Sequence, residues 1–429
     1  MISVQNHQQL LSGNKTNYLI KKYMVSAACL VGMLAAISCS PKTTAVLRNP
    51  GHTGGNVGAN TGEHTGADTD KGKDSKKEDL KATSIALMLP FQLDKVAGTS
   101  VVEEDVKRSA LALDFYQGFQ LGVNEVAKKG KDVTINVMDT EDNEMKNISL
   151  ASSKHVEDAS LIVGPIYPKE IRSFAKANTN KKVLQVSPLA AMMPTEFNIA
   201  NLVSLTPPIR MHMRSIVESI VSKYKSGDVV IVFDARDHDH RQFIEGFDQE
   251  LKTKNPAIQI KHVQSATQIG HELLEVGTAF IVSGTTEKTQ LRSLISALDD
   301  KVSDGFMIRL FGHPLWDRID FSPYSNFYRM DPTISSESHL RAWNTDAQTF
   351  VRNYKALYKV DPSDYSYKGY DAGRYFSALL NKYGADYSSK LLEEKYQGLF
   401  NKYEFTYNPQ WGYVNQGVKL KTYRNGSFQ

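Results

Sequence analysis

From residue 84 onward, short apolar runs alternate with longer stretches whose apolar residues recur every three or four positions. The segment Leu161-Ile162-Val163-Gly164-Pro165-Ile166-Tyr167-Pro168 sets the pattern. Three large apolar residues predict a short buried strand, and Gly164-Pro165 ends it and exposes backbone N–H groups at its carboxyl end. Pro168 suits a first helical turn, where its missing N–H is not needed. Glu170 then falls on the favourable end of the helix dipole. A strand that hands over to a helix in this way is either a ligand-binding edge of an open α/β sheet or a plain tight turn.

The same alternation runs on both sides of this segment. Strands are expected at 85–91, 133–139 and 183–190, with helices at 109–128, 150–158 and 168–178. Gly118 and Gly122 in the first helix would let it approach a sheet closely, at some cost in intrinsic helicity. Strands separated by single helices predict parallel order and right-handed crossovers. Leu202 to Pro208 reads as an extended crossing to a second lobe. The rhythm then restarts with strands at 229–233, 258–263, 279–282 and 307–311 and helices at 240–252, near Leu273 and at 287–298. A second crossing is expected at 326–332, helices at 340–358 and 370–382, and a β-hairpin in the tail at 402–423. The predicted class is α/β: two lobes, each a mostly parallel sheet flanked by helices, joined by extended hinge crossovers.

The first 83 residues have a different character. Lys21-Lys22 precedes an apolar run, 23–38, that suits a signal peptide better than a membrane span. It ends Leu34-Ala35-Ala36-Ile37-Ser38-Cys39, which resembles the lipobox of bacterial lipoproteins, with Ile37 a mild departure. Lipidation at Cys39 would anchor the protein to a membrane without spanning it. Residues 40–83 are Gly, Thr, Asn, Asp, His and Lys, a composition that predicts a flexible tether. The expected division is therefore 1–39 signal peptide, 40–83 tether, 84–205 plus 331–396 lobe 1, and 206–330 plus 397–429 lobe 2.

Charge and cysteine content narrow the function. The chain carries a net charge of +4, but residues 84–429 hold 41 Lys/Arg against 41 Asp/Glu, which gives no nucleic-acid footprint. Both cysteines, Cys29 and Cys39, precede the globular part, so that part has neither a disulfide nor a cysteine nucleophile. Asp237-His238-Asp239-His240 has metal-ligand residue types, yet such close neighbours suit a helix cap better. Ser173-Phe174-Ala175-Lys176 matches the Ser-x-x-Lys spacing of penicillin-recognising enzymes, but its companion motifs are absent and Phe174 belongs to a core face. No phosphate-binding, dinucleotide or zinc-protease motif occurs, so neither a cofactor nor an enzymatic activity is implied. Tyr354, Tyr358, Tyr365, Tyr367 and Tyr370 are read mainly as packing residues, with a sugar or peptide groove as the alternative.

Residues 85–91, Asp114-Phe115-Tyr116-Gln117-Gly118, Val163-Gly164-Pro165, Val186-Ser187-Pro188-Leu189 and Gly369-Tyr370-Asp371-Ala372 together resemble the type I periplasmic-binding-protein fold over about residues 84–429. Within that fold the chain is most similar to penicillin-binding-protein activators and amino-acid-binding lipoproteins of ABC transporters. The resemblance implies a ligand cleft between two lobes that close about a hinge. It places Phe91, Gly164, Pro165, Tyr167, Ser187, Leu189 and Ala190 on the first lobe's side, and Asp234, Ser283, Thr285 and His313 on the second. The expected partners are a small ligand (amino acid, peptide or cell-wall fragment), an ABC permease or a cell-wall synthase, and a membrane reached through the lipid. The expected location is the periplasmic face of the cell envelope, on the outer membrane. The first lobe's loops lack the hydroxyls and free N–H groups with which amino-acid binders hold a carboxylate; Ser187 alone offers a hydroxyl.

Overall fold

The computed structural model describes residues 83–96, 101–128, 130 and 133–429. The lipobox with Cys39 lies outside the described residues, as does the tether apart from Thr83, which opens the first strand. The first lobe begins with β1 (Thr83–Leu89), α1 (Glu103–Ala127), β2 (Val133–Asp139), α2 (Glu144–Ala151) and α3 (Lys154–Glu157). It continues with β3 (Leu161–Val163), α4 (Pro168–Ala177), β4 (Gln185–Ser187) and β5 (Leu202–Ser204). The second lobe holds α5 (Ile209–Lys223), β6 (Val229–Phe233), α6 (His238–Ile244), α7 (Phe247–Lys254), β7 (Ile260–Val263) and α8 (Ile269–Glu272). It is completed by β8 (Thr278–Ser283), α9 (Lys288–Ser303), β9 (Met307–Gly312) and β10 (Thr333–Ser336). The chain then returns through α10 (Thr345–Tyr358), α11 (Asp364–Tyr383) and the short pair β11 (Tyr396–Gln397) and β12 (Lys402–Tyr403). It ends in β13 (Phe405–Asn408), β14 (Gly412–Asn415), β15 (Lys419–Arg424) and β16 (Ser427–Phe428).

Two seven-stranded sheets result, ordered β13-β14-β5-β4-β3-β1-β2 and β16-β15-β10-β9-β8-β6-β7. All pairings in the body of each sheet are parallel; the antiparallel ones involve tail strands. Continuous buried runs such as Ile85 to Leu89 and Val229 to Val232 explain this, because strands covered on both faces need no polar alternation. Each lobe has its own apolar core, one around Leu87, Phe115 and Phe376, the other around Ile231, Leu294 and Trp316.

Four expectations need correction. The tail does not belong to one lobe: β13 and β14 extend the first sheet, whereas β10, β15 and β16 extend the second. The segment expected to cross at 326–332 instead forms a helical turn, Phe327–Met330, and stays in the second lobe. Phe327 is fully buried and stacks on Phe321 at 4.3 Å, so its apolar residues fill a core rather than an extended strap. Third, Gly118 and Gly122 face a helix, not a sheet. A β-carbon at Gly118 would lie 1.9 Å from the Ser366 carbonyl oxygen, and one at Gly369 would lie 2.1 Å from that of Phe115. Glycines on both α1 and α11 thus let the two helices touch backbone to backbone. The helix expected at 240–252 is also broken in two, at Gly246, whose φ of 77° no helix interior adopts.

The crossings fix the shape. β5 ends at the carboxyl edge of the first sheet, and the chain passes through 205–208 to α5, which starts at the carboxyl edge of the second. β10 leaves the second sheet at that edge and reaches α10 through 337–344. β14 is parallel to β5 and β15 antiparallel to β10, so 416–418 joins the same two edges. Three connections therefore tie carboxyl edge to carboxyl edge, and the loops that follow the parallel strands meet across a cleft. Such edges are where open α/β sheets take ligands.

Candidate ligand cleft

The first lobe's edge is built from four strand ends. Pro90, Pro165 and Pro188 follow β1, β3 and β4 within two residues, so each of these turns lacks a backbone donor. Gly164 has a φ of 104°, and a β-carbon there would lie 2.0 Å from the Met88 carbonyl oxygen, which only glycine allows. The Gly164–Pro165 peptide is cis. Behind this turn, the buried Glu170 carboxylate accepts from Asn147 Nδ2 at 3.0 Å and from the Tyr167 N–H at 3.4 Å. Burial drives the Glu170 carboxyl up to about 7, with those donors and Thr140 pulling it back.

At the ends of β1 and β2 the backbone is strained. Gln92, Glu141 and Asp142 all adopt left-handed conformations, with φ of 55°, 56° and 49°. Asp139 holds both turns: its carboxylate accepts from Gln92 N at 3.0 Å, Leu93 N at 2.8 Å and Glu141 N at 2.9 Å. Residues in such regions cost free energy and persist where surrounding structure fixes them, often at binding sites. Asp142 itself is exposed and makes no hydrogen bond or ion pair with any described residue. Desolvation raises its carboxyl, partly offset by Lys95 and Lys169.

Aromatic residues crowd the same edge. Phe91 meets Tyr116 edge-on with ring centroids 6.1 Å apart. Tyr116, Tyr167, Leu189 and Tyr365 all pack, partly exposed, against the rim of the first core. Burial raises the Tyr167 hydroxyl to about 12, helped by Asp142, Glu170 and Tyr365, which places these four groups together. Tyr365 sits in the first turn of α11, partly exposed against the first core.

The expected site residues divide unequally. Tyr167 and Leu189 are partly open on the first lobe, while Phe91, Gly164, Pro165, Ser187 and Ala190 form the buried layer beneath. The Ser187 hydroxyl is buried without a hydrogen-bond partner among the described residues. On the second lobe, the polar atoms are engaged internally. Ser283 Oγ accepts from Thr285 N at 3.4 Å, Thr285 Oγ1 from Glu287 N at 3.2 Å, and His313 Nδ1 from Leu315 N at 3.1 Å. Trp316 seals this edge from within, donating to the Thr285 carbonyl at 2.7 Å. Asp234 is tied to His262 at 2.9 Å and lies 3.7 Å from His240. Asp142 and Tyr116 were not among the residues expected in the cleft, and Tyr365 was expected mainly to pack, with a sugar or peptide groove as the alternative. Asp142 carries a sequence signal, a Glu-Asp-Asn turn directly after a strand end.

The other motifs are structural. Asp237 caps α6, accepting from His240 N at 2.9 Å, and Asp239 accepts from Thr286 Oγ1 at 2.6 Å. Among the described residues no group of three or more His, Cys, Asp or Glu side chains is placed to hold a metal ion. Ser173 donates to the Glu170 carbonyl within α4, beside fully buried Phe174. Tyr354 and Tyr370 are buried in a third aromatic cluster with Phe350 and Tyr367. Asp371, quoted above for its family resemblance, is also structural: it accepts from the N–H groups of Leu399, Phe400 and Asn401.

No family model matches the sequence, and no curated protein does. Solved structures do match. A branched-chain amino acid ABC transporter protein from Rhodospirillum rubrum superimposes with a TM-score of 0.59 at 13% identity, covering 81% of this chain and 99% of that one. An ABC-type branched-chain amino acid transporter protein from Rhodopseudomonas palustris gives 0.52 at 13% identity, covering 80% and 92%. An ABC transporter substrate-binding protein from Desulfitobacterium hafniense gives 0.51 at 16% identity, covering 81% and 99%. The chain has the two-lobed α/β fold of periplasmic binding proteins. At these identities the likeness concerns the fold.

Proposed function

We propose that the chain is a non-enzymatic binding protein of the cell envelope that takes a small molecule between its lobes. The observation that carries this is the first lobe's carboxyl edge. There a strained turn presents an unpartnered carboxylate, Asp142, beside a rim of half-buried tyrosines, opposite a second lobe reached by three crossings. The ABC-transporter role of proteins with this fold supports delivery to a permease as the downstream step, by analogy of fold. Lipid anchoring through Cys39, facing the periplasm from the outer membrane, is part of the reading and rests on the lipobox-like run. Replacing Cys39 with Ala should release the protein from the membrane fraction; unchanged fractionation removes the anchor. For the cleft, Tyr167→Ala should weaken any ligand found in a thermal-shift screen while leaving the melting temperature of the free protein nearly unchanged. Equal affinity in that variant would move the site elsewhere.

One feature favours a second reading, contact with a protein such as a cell-wall synthase. Trp343 is 76% exposed, and an adjoining groove of about 410 Å³ is lined by Ala347, Val351, Arg352 and Tyr367. Exposed tryptophans of this kind are common anchors in interfaces. Trp343→Ala should abolish cross-linking to such a partner and leave small-molecule binding intact.

A further inference from the structure

We propose that the second lobe carries a further ligand site on its flank, built for the carboxyl-terminal residues of a short apolar peptide. This site is separate from the cleft and does not depend on the reading of it. An open cavity of about 400 Å³ lies between α9 and the segment 323–330, within the size range of small-molecule sites. α9 starts just past the carboxyl end of β8 and runs back toward the start of β9, so the cavity descends the lobe away from the cleft. None of the residues expected in the cleft lines it.

Two side chains on one stripe of α9 set the ligand's chemistry. Asp299 Oδ2 accepts from Asn326 Nδ2 at 3.2 Å, but Oδ1 is buried and accepts no hydrogen bond from any described residue. Arg329 Nη1 stands 4.0 Å from it, close enough to offset the charge and too far to donate. That guanidinium is turned instead to Ser303 Oγ at 3.3 Å and the Val302 carbonyl at 3.5 Å. Asp299 therefore lacks a donor and not a counter-charge. Arg292, two helical turns earlier, is the reverse: it is exposed and makes no hydrogen bond or ion pair with any described residue. A free guanidinium takes a carboxylate through two parallel N–H bonds. Ile295 lies between the two on the same stripe, and with the fully buried Phe327 and Met330 it gives the cavity an apolar floor. A ligand that satisfies all three has one carboxylate, an apolar body and a neutral N–H. Two helical turns rise about 10 Å, and three extended peptide residues span about the same at ~3.3–3.6 Å each. The carboxyl end of a peptide carries these groups at this spacing. A fatty acid has the first two but no donor for Asp299.

The test uses the full chain in calorimetric titration and thermal shift. The probes are the peptide N-acetyl-Ala-Leu-Leu with a free carboxylate, the same peptide as its carboxamide, and octanoate. The expected result is saturable binding of the free acid, with the carboxamide and octanoate each about tenfold weaker or more. Arg292→Gln should weaken the free acid by a similar factor without changing the melting temperature of the free protein. Asp299→Ala should weaken it about threefold or more, and Tyr167→Ala in the cleft should leave it unchanged. No saturable binding of the free acid overturns the site. Equal binding of the carboxamide overturns the carboxylate assignment, and equal binding of octanoate overturns the peptide. Unchanged affinity in Arg292→Gln with loss in Tyr167→Ala overturns the placement on α9 and leaves the cleft reading standing.

Discussion

The side-chain amide of Asn415 donates to the Leu205 carbonyl at 2.8 Å, joining the last crossing between the lobes to the first. The same amide donates to the Lys402 carbonyl at 2.9 Å and accepts from the N–H groups of Glu404 at 3.1 Å and Gly417 at 3.0 Å. All four of its hydrogen-bonding positions are thus filled, and the residue is fully buried. A hinge of three separate strands needs such a fastening if the lobes are to move as bodies. Asn415→Ala would leave two carbonyls and two N–H groups short of partners. Unpaired buried groups cost about 1–3 kcal/mol each, less where water enters. We expect a loss of about 2–4 kcal/mol in chemical denaturation, and a loss below about 0.5 kcal/mol would show that the crossings are held by something else.

Asp371 plays the corresponding part for the loop that precedes the tail. Its Oδ1 accepts from Leu399 N at 2.9 Å and from the Tyr396 hydroxyl at 3.2 Å, and its Oδ2 from Phe400 N at 2.8 Å and Asn401 N at 2.7 Å. Every neighbour is a donor. Asp371→Asn keeps the shape but turns an NH₂ group onto one of these pairs. Leaving donors unmatched in a buried site should cost about 2–3 kcal/mol. Thermal melts of the two proteins at neutral pH would measure it, and equal stability would mean the loop accepts an amide.

How far these relationships could be read from the chain depends on what periodicity encodes. Buried runs such as Ile85 to Leu89 announce a strand covered on both faces, so the parallel sheets and their order of appearance were legible. Periodicity says which face of an element is covered but not by what. Gly118 and Gly122 therefore pointed to a close approach while leaving the partner, α11, open. The segment at 326–332 misled because an apolar, proline-ended run fits a strap and a core-filling turn equally well. Tail strands of two to six residues could join either sheet, and register against β5 or β10 decides it. The candidate site was legible as loops after strands. Which loop residues stay open was not, since Thr285 is buried beneath Trp316 from a distant segment whereas Asp142 stays exposed.

His262 bridges two carboxylates, with Nδ1 2.9 Å from Asp234 and Nε2 2.9 Å from Asp248. Burial pulls its pKa down, but the hydrogen bonds and charges of the two aspartates outweigh this, and the net direction is upward. A histidine whose folded pKa is raised stabilises the fold fully below its unfolded value of 6.5, and the contribution is lost as pH rises through the folded value. His262→Gln should therefore lower the melting temperature more at pH 5.5 than at pH 8.5, the difference being modest because the pair is partly exposed. An equal loss at both pH values would show that the ring packs without its charge mattering.

Glu170 supplies a second pH-dependent contribution, at the base of the cleft. Its folded pKa is raised from 4.5 to about 7, chiefly by burial. Between those values the native protein keeps a proton that the unfolded chain releases, so the native state binds more protons and stability falls as pH rises. Below 4.5 and above 7 the group has no further effect. The full drop is at most on the order of 3 kcal/mol at 1.36 kcal/mol per pKa unit. Glu170→Gln keeps an acceptor for Asn147 and carries no charge at any pH. The variant should match or exceed the parent's stability at pH 8 and fall relative to it near pH 5, flattening the slope of unfolding free energy between those values. Because the Tyr167 N–H donates to Glu170 and favours its ionised form, the same titration should tighten the turn on which Tyr167 sits. Hydrogen exchange at that amide, measured at pH 5.5 and pH 8 and corrected for the intrinsic rate, should show more protection at the higher pH in the parent. It should show no change in the variant. Persistence of the full pH slope in Glu170→Gln would transfer the effect to another buried carboxyl, Asp371, raised to about 6 by burial, being the next to test.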